Sequence, residues 1–266
     1  MNFPYSITVI GSGNLAWHVC KQLSKLKAEN VEVINHKKSK RLETIAQKFE
    51  FTPNDSLKSI NKNSDFYLIC VSDSAISSVI KSLDEQKVDK PVLICSGTYN
   101  IEKLKVNRNN KAIFYPLQSF RIGTKIKWKE VPLFIEANEI SVLSSVKKLA
   151  YLFSKNIHTT NYKQRISLHL AAVFANNFTN SFFAVSEKLI KKSFPAQSLE
   201  LLEPILEQTI KNAVELGPVN SQTGPAVRSD KETMSKHEEI VAADKRLLRI
   251  YKEMSNLIAE QQKKHA

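Results

Sequence analysis

Ile7-Thr-Val-Ile10 runs straight into Gly11-Ser-Gly-Asn-Leu-Ala16, and no other stretch restricts the fold of this chain as strongly. Four β-favouring residues in a row, three of them apolar, read as a strand buried on both faces. The glycine pair breaks it, and from Trp17 to Leu26 the apolar residues return at helical spacing. With only six glycines in 266 residues, two standing together mark a backbone path that other residues cannot follow. Gly11-x-Gly13-x-x-Ala16 thus sits where a strand hands over to a helix, the context in which this spacing carries meaning. Gly11 permits the tight turn, Gly13 leaves room for a pyrophosphate, and Ala16 lets the helix lie close to its strand. The helix N-terminus adds unpaired amides and a positive dipole. On this reading Gly11, Ser12, Gly13, Asn14 and Leu15 form the phosphate-binding turn of a dinucleotide site. The alternative is a glycine turn that binds nothing.

Strands and helices continue to alternate: a strand over Val31 to Ile34, a helix over Lys40 to Phe49, a strand over Asp65 to Val71, a helix over Ala75 to Leu83. Further strands are expected at Pro91 to Cys95, Ala112 to Tyr115 and Val131 to Ile135. This order predicts an α/β, Rossmann-like and mostly parallel sheet with helices on both faces over residues 1–160. Beyond residue 160 the apolar spacing becomes helical over Lys163 to Lys192, Ser198 to Leu216 and Lys231 to Gln262. Residues 161–266 are therefore expected to form an all-α domain. The turn-rich segment Gly217 to Asp230 interrupts it.

The net charge of +13, from 39 basic and 26 acidic residues, would suit a nucleic-acid binder if the cations were clustered. They are not: residues 1–135 carry 21 basic against 12 acidic, and the remainder 18 against 14. Only seven of the basic residues are arginine, the side chain suited to bidentate phosphate and base recognition. Nucleic acid is not an expected partner. Cys20, Cys70 and Cys95 lack metal-ligand spacing, which removes zinc and disulfide scaffolds. No apolar run is long enough to span a bilayer and no basic head precedes one, so a cytoplasmic protein without membrane association is expected.

The end of the second strand selects the dinucleotide. An NAD site places Asp or Glu there, roughly 20 residues past the glycines, whereas this chain has Asn35-His36-Lys37-Lys38-Ser-Lys-Arg41. Cations without an acid favour the 2′-phosphate of NADP, with His36 and Lys37 nearest the strand. A solvated lysine face is the alternative. Ligands of open parallel sheets sit at the carboxyl ends of the strands, which adds Val71, Ser72, Ser96 and Gly97 as cofactor contacts and Gln118 as a substrate contact. For Ser72, Asp73 and Ser74 a helix N-cap is at least as good a reading. In the first helix of the second domain, an ideal helix puts Asn176 and Asn180 each within about 20° of His169, and Asn177 roughly 80° away. A polar stripe of this kind lines a pocket, with a satisfied buried network as its alternative.

Gly11-Ser-Gly-Asn-Leu-Ala16, Val71-Ser-Asp-Ser-Ala-Ile76, Ser96-Gly97, Tyr115-Pro-Leu-Gln-Ser-Phe120, Leu168-His-Leu-Ala-Ala-Val-Phe-Ala-Asn-Asn177 and Gln222-Thr-Gly-Pro-Ala-Val-Arg228 together resemble one family. It is the NADP oxidoreductases with a Rossmann-like N-terminal domain and an uncharacterised helical C-terminal domain. That family is related to pyrroline-5-carboxylate reductase and the β-hydroxyacid dehydrogenases. The resemblance covers essentially the whole chain. Two positions depart from the family pattern: His36 stands where a phosphate-binding Arg is usual, and Tyr115 where His often precedes the Pro-Leu-Gln segment.

The resemblance implies an NADP-dependent reductase or dehydrogenase acting on a small carbonyl, imine or hydroxy compound, with hydride transfer in a cleft between the domains. His169, an imidazole able to give or take a proton near neutrality, is the candidate acid–base group, with Asn176 and Ser96 holding the reacting heteroatom. Thr223, Asn180 and Arg228 are candidate substrate contacts, Arg228 toward a carboxylate or, equally, in an ion pair with Asp230. NAD or a deazaflavin are the alternative cofactors. Related reductases pair through their helical domain, so a homodimer is expected. A non-catalytic dinucleotide-binding regulator or scaffold is the competing function, since no Lys occupies the helix face that carries the catalytic Lys of the β-hydroxyacid dehydrogenases.

Overall fold

The computed structural model describes residues 3–103 and 110–265. They fall into two compact units, Met1–Thr179 and Asn180–Ala266. The first opens with β1 (Ile7–Ile10), α1 (Asn14–Lys25), β2 (Val31–Ile34), α2 (Lys40–Phe49) and β3 (Thr52–Asn54). It continues through β4 (Phe66–Ile69), α3 (Asp73–Glu85), β5 (Val92–Ile94), β6 (Lys111–Pro116) and β7 (Leu133–Ala137). It closes with α4 (Ile140–Phe153), β8 (Ile157–Thr159) and α5 (Tyr162–Ala172).

The strands make one eight-stranded sheet in the order β3-β2-β1-β4-β5-β6-β7-β8. This is the Rossmann-like architecture expected from the alternating pattern. β6 and β7 are antiparallel and the other neighbours parallel. Between β6 and β7 the chain forms a single 3₁₀ turn, Trp128–Glu130, instead of a crossover helix, so it returns alongside the strand it left. Three-residue β3 and β8 were not foreseen; Pro53 in β3 is compatible with its place at the sheet edge.

Alternation along the strands sorts the core. Val9, Val33, Leu68, Leu93 and Phe114 point to one face and pack with Val19 and Leu23 of α1, Ile45 of α2 and Phe153 of α4. Ile10, Ile34, Ile69, Ile94 and Ile113 point to the other, against Ile76, Ile80 and Leu83 of α3. β1 is wholly buried, as its β-branched run suggests, and the one polar residue, Thr8, bonds to Ser64. The chain winds outward from β1 to β3 and then restarts at β4 on the other side of β1. The switch point therefore lies between β1 and β4, where the crevice of such sheets opens at the carboxyl ends.

The second unit contains α6 (Thr179–Ser193), α7 (Glu203–Leu216), α8 (Lys231–Val241) and α9 (Lys245–His265). The segment expected as one helix from Lys231 to Gln262 is two, because Asp244 breaks it and caps α9 with its carboxylate on the amides of Arg246 and Leu247. None of these four helices has a buried residue. Ile205, Ile210 and Val214 of α7 are 63%, 65% and 81% exposed, an apolar surface that the unit alone leaves in water. Among the described residues no helix is long and apolar enough to cross a membrane.

Candidate functional site

The two glycines of the first turn are required for different reasons. Gly11 has φ +121°, and a Cβ there would lie 2.4 Å from the Cys70 carbonyl oxygen and 3.2 Å from Val71 Cγ1. The fold itself demands glycine at that point. Gly13 has φ −79° and ψ −171°, open to any residue, and a Cβ would meet nothing within 4 Å. Nothing inside the protein requires glycine at 13; what the missing side chain preserves is open space in front of α1. Gly13 is also the cap residue of α1, with no side chain bonding the first amides and no carboxylate in the first turn. Those N–H groups and the helix dipole are left to an anion, as a pyrophosphate needs. Asn14 is exposed beside them and Leu15 packs on the core.

At the end of β2 the Asn35 amide donates to Ser12 Oγ and to Ser39 Oγ, both at 3.2 Å, and so ties the glycine turn to the start of α2. His36 is exposed, its ring Nδ1 3.1 Å from Asn35 Oδ1. Lys38 pairs with Glu43 at 3.4 Å. Lys37, Lys40 and Arg41 are exposed, and among the described residues no carboxylate pairs with them. Lys40 and Arg41 occupy the first turn of α2, the end of a helix that disfavours cations and favours phosphate. The donor set fits a 2′-phosphate better than a ribose diol.

Val71 and Ser72 follow β4 beside Gly11. Ser72 is the cap residue of α3, but its hydroxyl meets Ser74 Oγ at 3.1 Å and caps no backbone amide, so the helix-cap reading does not describe its side chain. Asp73 instead accepts from the Thr98 hydroxyl across the strand ends. Ser96 is buried, and its oxygen accepts from the amides of Thr98 and Tyr99, each at 3.1 Å. Both lone pairs serve its own loop, and its proton points to the Thr98 hydroxyl at 3.4 Å, whose own proton goes to Asp73.

Gly97 is enclosed. A Cβ there would lie 2.7 Å from His169 Nδ1 and 2.8 Å from Tyr115 Cζ, so the imidazole and the phenol both rest on the bare backbone. Tyr115 Oη is 3.1 Å from His169 Nδ1. These groups border a pocket of about 420 Å³ that also takes in Gln118, Ser119, Asn176 and Asn177. Its polar lining consists of amides, hydroxyls and one imidazole. Burial raises the Tyr115 phenol above its ordinary value, and the Arg165 guanidinium partly offsets this.

One expectation is corrected here. Ideal helical spacing put Asn176 on the His169 face and Asn177 well off it, yet both line the pocket. Val173–Phe178 is a π-helical turn, which widens the helix and rotates everything after His169 out of the assumed phase. Such turns recur at functional sites.

Arg165, one turn before His169, is fully buried, and the sequence reading missed it. Its guanidinium pairs with Glu136 of β7 and donates to the Tyr99 carbonyl, which fastens α5 to the sheet and to the loop carrying Gly97. Burial pushes the Glu136 carboxyl up and Arg165 pulls it back, leaving it above the ordinary range. A Glu inside the apolar run Leu133–Ala137 was the available signal; Arg165, in the polar stretch Lys163-Gln-Arg-Ile-Ser167, gave none.

The remaining candidates lie in the second unit. Asn180 is exposed; Thr223 borders an apolar cavity of about 370 Å³ with Phe182, Pro225 and Met254. Arg228 is exposed, and Asp230 bonds to Thr233 as the cap of α8 rather than to Arg228.

Residues 6–96 match the model of the family described as NADP oxidoreductase, coenzyme F420-dependent, and residues 131–258 match a domain of unknown function, DUF2520. A protein from Bacteroides fragilis assigned as an NADP oxidoreductase is 30% identical, with 96% of this chain and 98% of that one covered and a TM-score of 0.89. A Thermotoga maritima protein is 20% identical over 97% and 99%, with a TM-score of 0.70. An imine reductase from Myxococcus stipitatus, in complex with NADP+, is 14% identical over 97% and 94%, with a TM-score of 0.65. No curated protein matches.

Proposed function

The chain belongs to the NADP oxidoreductases that join a coenzyme-F420-dependent-type domain to DUF2520, and from that premise we propose that it reduces a small imine or carbonyl compound, or oxidises the matching hydroxy compound, in the pocket beneath His169. NADP supplies the hydride. Membership of an oxidoreductase family speaks against the scaffold reading.

The observation that carries the proposal is the seating of His169. It lies on Gly97 at the carboxyl end of β5, on the sheet edge where Gly11 and Val71 also stand, and it faces a cavity with room for a small molecule. At that site His169 gives the proton taken up by the substrate heteroatom, or accepts it in the oxidative direction. Asn176, Asn177 and Gln118 orient the heteroatom by amide hydrogen bonds. Ser96 shapes the loop that presents Gly97. Gly13 and the first turn of α1 hold the pyrophosphate, while Lys37, Lys40 and Arg41 hold the 2′-phosphate. The residues from 161 on act as substrate and pairing domain. The exposed apolar face of α7 supports a homodimer formed through the second unit. Light scattering at twice 30.2 kDa is expected, and a monomer at micromolar concentration would refute that pairing.

Thermal-shift measurements with NADPH, NADH and a reduced deazaflavin, followed by a panel of cyclic imines, ketones and hydroxy acids read as NADPH consumption or formation, test the function. Stabilisation by NADPH and turnover of an imine or carbonyl are expected. Stabilisation without turnover of any class would overturn the proposal.

A further inference from the structure

Tyr115 occupies a position to which the reading above assigns no chemistry, yet it is the one hydrogen-bonding partner of His169 among the described residues. The bond is to Nδ1. Nε2 has no partner there, and it belongs to a ring that lines the pocket. Tyr115 Oη likewise bonds to nothing else among the described residues. A half-buried hydroxyl leaves its proton unsatisfied if it accepts from Nδ1–H, whereas donating to a bare Nδ1 satisfies both groups. The neutral imidazole then carries its proton on Nε2.

We propose that Tyr115 and His169 form a proton relay whose outlet is His169 Nε2 and whose class of substrate is a C=N or C=O compound with its heteroatom in the pocket. This rests on His169 being the proton donor. The substrate carbon gains the hydride of NADPH and its π pair moves to the heteroatom. That atom takes the Nε2 proton; the Nε2–H bond breaks as the Tyr115 O–H proton moves to Nδ1. The product is neutral, the imidazole returns to a neutral form, and the phenolate regains a proton from water. Arg165 stands close enough for its charge to favour that phenolate. Tyr115 acts through His169 and is a positioning residue in this scheme.

The consequence concerns pH. A histidine acting alone as the acid has to be cationic, and the cationic fraction falls as pH rises. A relay works from the neutral ring, so turnover stays level until the phenol itself ionises. The charged groups around the pair are Arg165 of α5, Glu136 of β7 bonded to it, Glu102 acting on Glu136, and Asp73 at the head of α3, which holds Thr98 beside Gly97. Of these, Glu136, whose carboxyl is raised, is the group able to imitate a falling limb.

Tyr115→Phe keeps the ring and removes the proton. In the parent, kcat at saturating NADPH is expected to be level from pH 6.5 to 8.5. In Tyr115→Phe it should fall as pH rises, approaching tenfold per unit, so that its deficit at pH 8.5 is at least about tenfold larger than at pH 6.5. The difference must persist in a Glu136→Gln background. Independently of turnover, 15N spectra of the imidazoles without cofactor should show neutral His169 as the Nε2–H tautomer in the parent and a mixture in Tyr115→Phe. Parallel pH profiles, or an Nδ1–H tautomer in the parent, would overturn the relay. If His169→Ala leaves turnover intact, the donor assignment itself fails instead.

Discussion

Substituting Gly13 by Ala or Val should leave the protein about as stable as the parent and unable to bind its cofactor. Gly13 sits at φ −79° and ψ −171°, an extended conformation that Ala and Val adopt without strain, and a Cβ there meets nothing within 4 Å. The folded state gains no clash, and the unfolded chain loses freedom worth about 0.4–1 kcal/mol in favour of the variant. Against this, Ala and Val are poorer helix N-cap residues than Gly, at a cost of similar size. At roughly 2–4 °C per kcal/mol, the melting temperature stays within about 4 °C of the parent. The same Cβ occupies the space a pyrophosphate needs. NADPH at 100 times its Kd stabilises the parent by about 2.7 kcal/mol, or roughly 5–11 °C. Neither variant should show that shift. Differential scanning calorimetry with and without NADPH reads both effects at once. A variant that melts more than about 4 °C lower without ligand would mean the space is not open. One that still gains the full shift would place the dinucleotide elsewhere.

Gly97→Ala behaves oppositely, because its Cβ would stand 2.7 Å from His169 Nδ1 and 2.8 Å from Tyr115 Cζ. Overpacking of about 1–3 kcal/mol and loss of turnover are expected, and an unchanged melting temperature would show that the two rings do not rest on this backbone. Arg165→Met strands Glu136 in the interior and should cost about 3–5 kcal/mol by urea unfolding, part of it recovered by adding Glu136→Gln. A cost under about 1 kcal/mol would mean that water already reaches the pair. Calorimetric titration should give tighter binding of NADPH than NADH by about 1–3 kcal/mol, since Lys37, Lys40 and Arg41 stand at the end of β2 with no acid among them; equal affinities would refute the role of these cations.

The α/β unit was legible because its signals are local. A four-residue β-branched strand, a glycine turn and a helix that follows at once need no distant partner to be recognised, and Gly11 and Gly13 occupy the turn their spacing implied. The reversal at β7 was not legible, since whether residues 117–132 hold a crossover helix or only a 3₁₀ turn depends on packing that no short pattern encodes. At the site, His169 and Asn176 were found by helical spacing. Asn177 was discarded by the same rule, because the π-turn at Val173–Phe178 changes the angle per residue. Arg165 and Glu136 are 29 positions apart, and a buried pair of that kind is visible only once α5 lies on β7. Tyr115 read as a departure from a pattern; only its approach to His169 Nδ1 gives it a partner.

The donor assignment is tested most directly by the kcat of His169→Ala at saturating NADPH, measured beside its NADPH affinity, on the imine or carbonyl compound the parent turns over fastest. General acid–base catalysis contributes about a hundredfold or more, so kcat should fall by at least that factor while the Kd for NADPH stays within about twofold. Turnover equal to the parent, or a loss that follows weaker NADPH binding, would contradict the reading of His169 as the group that delivers the proton.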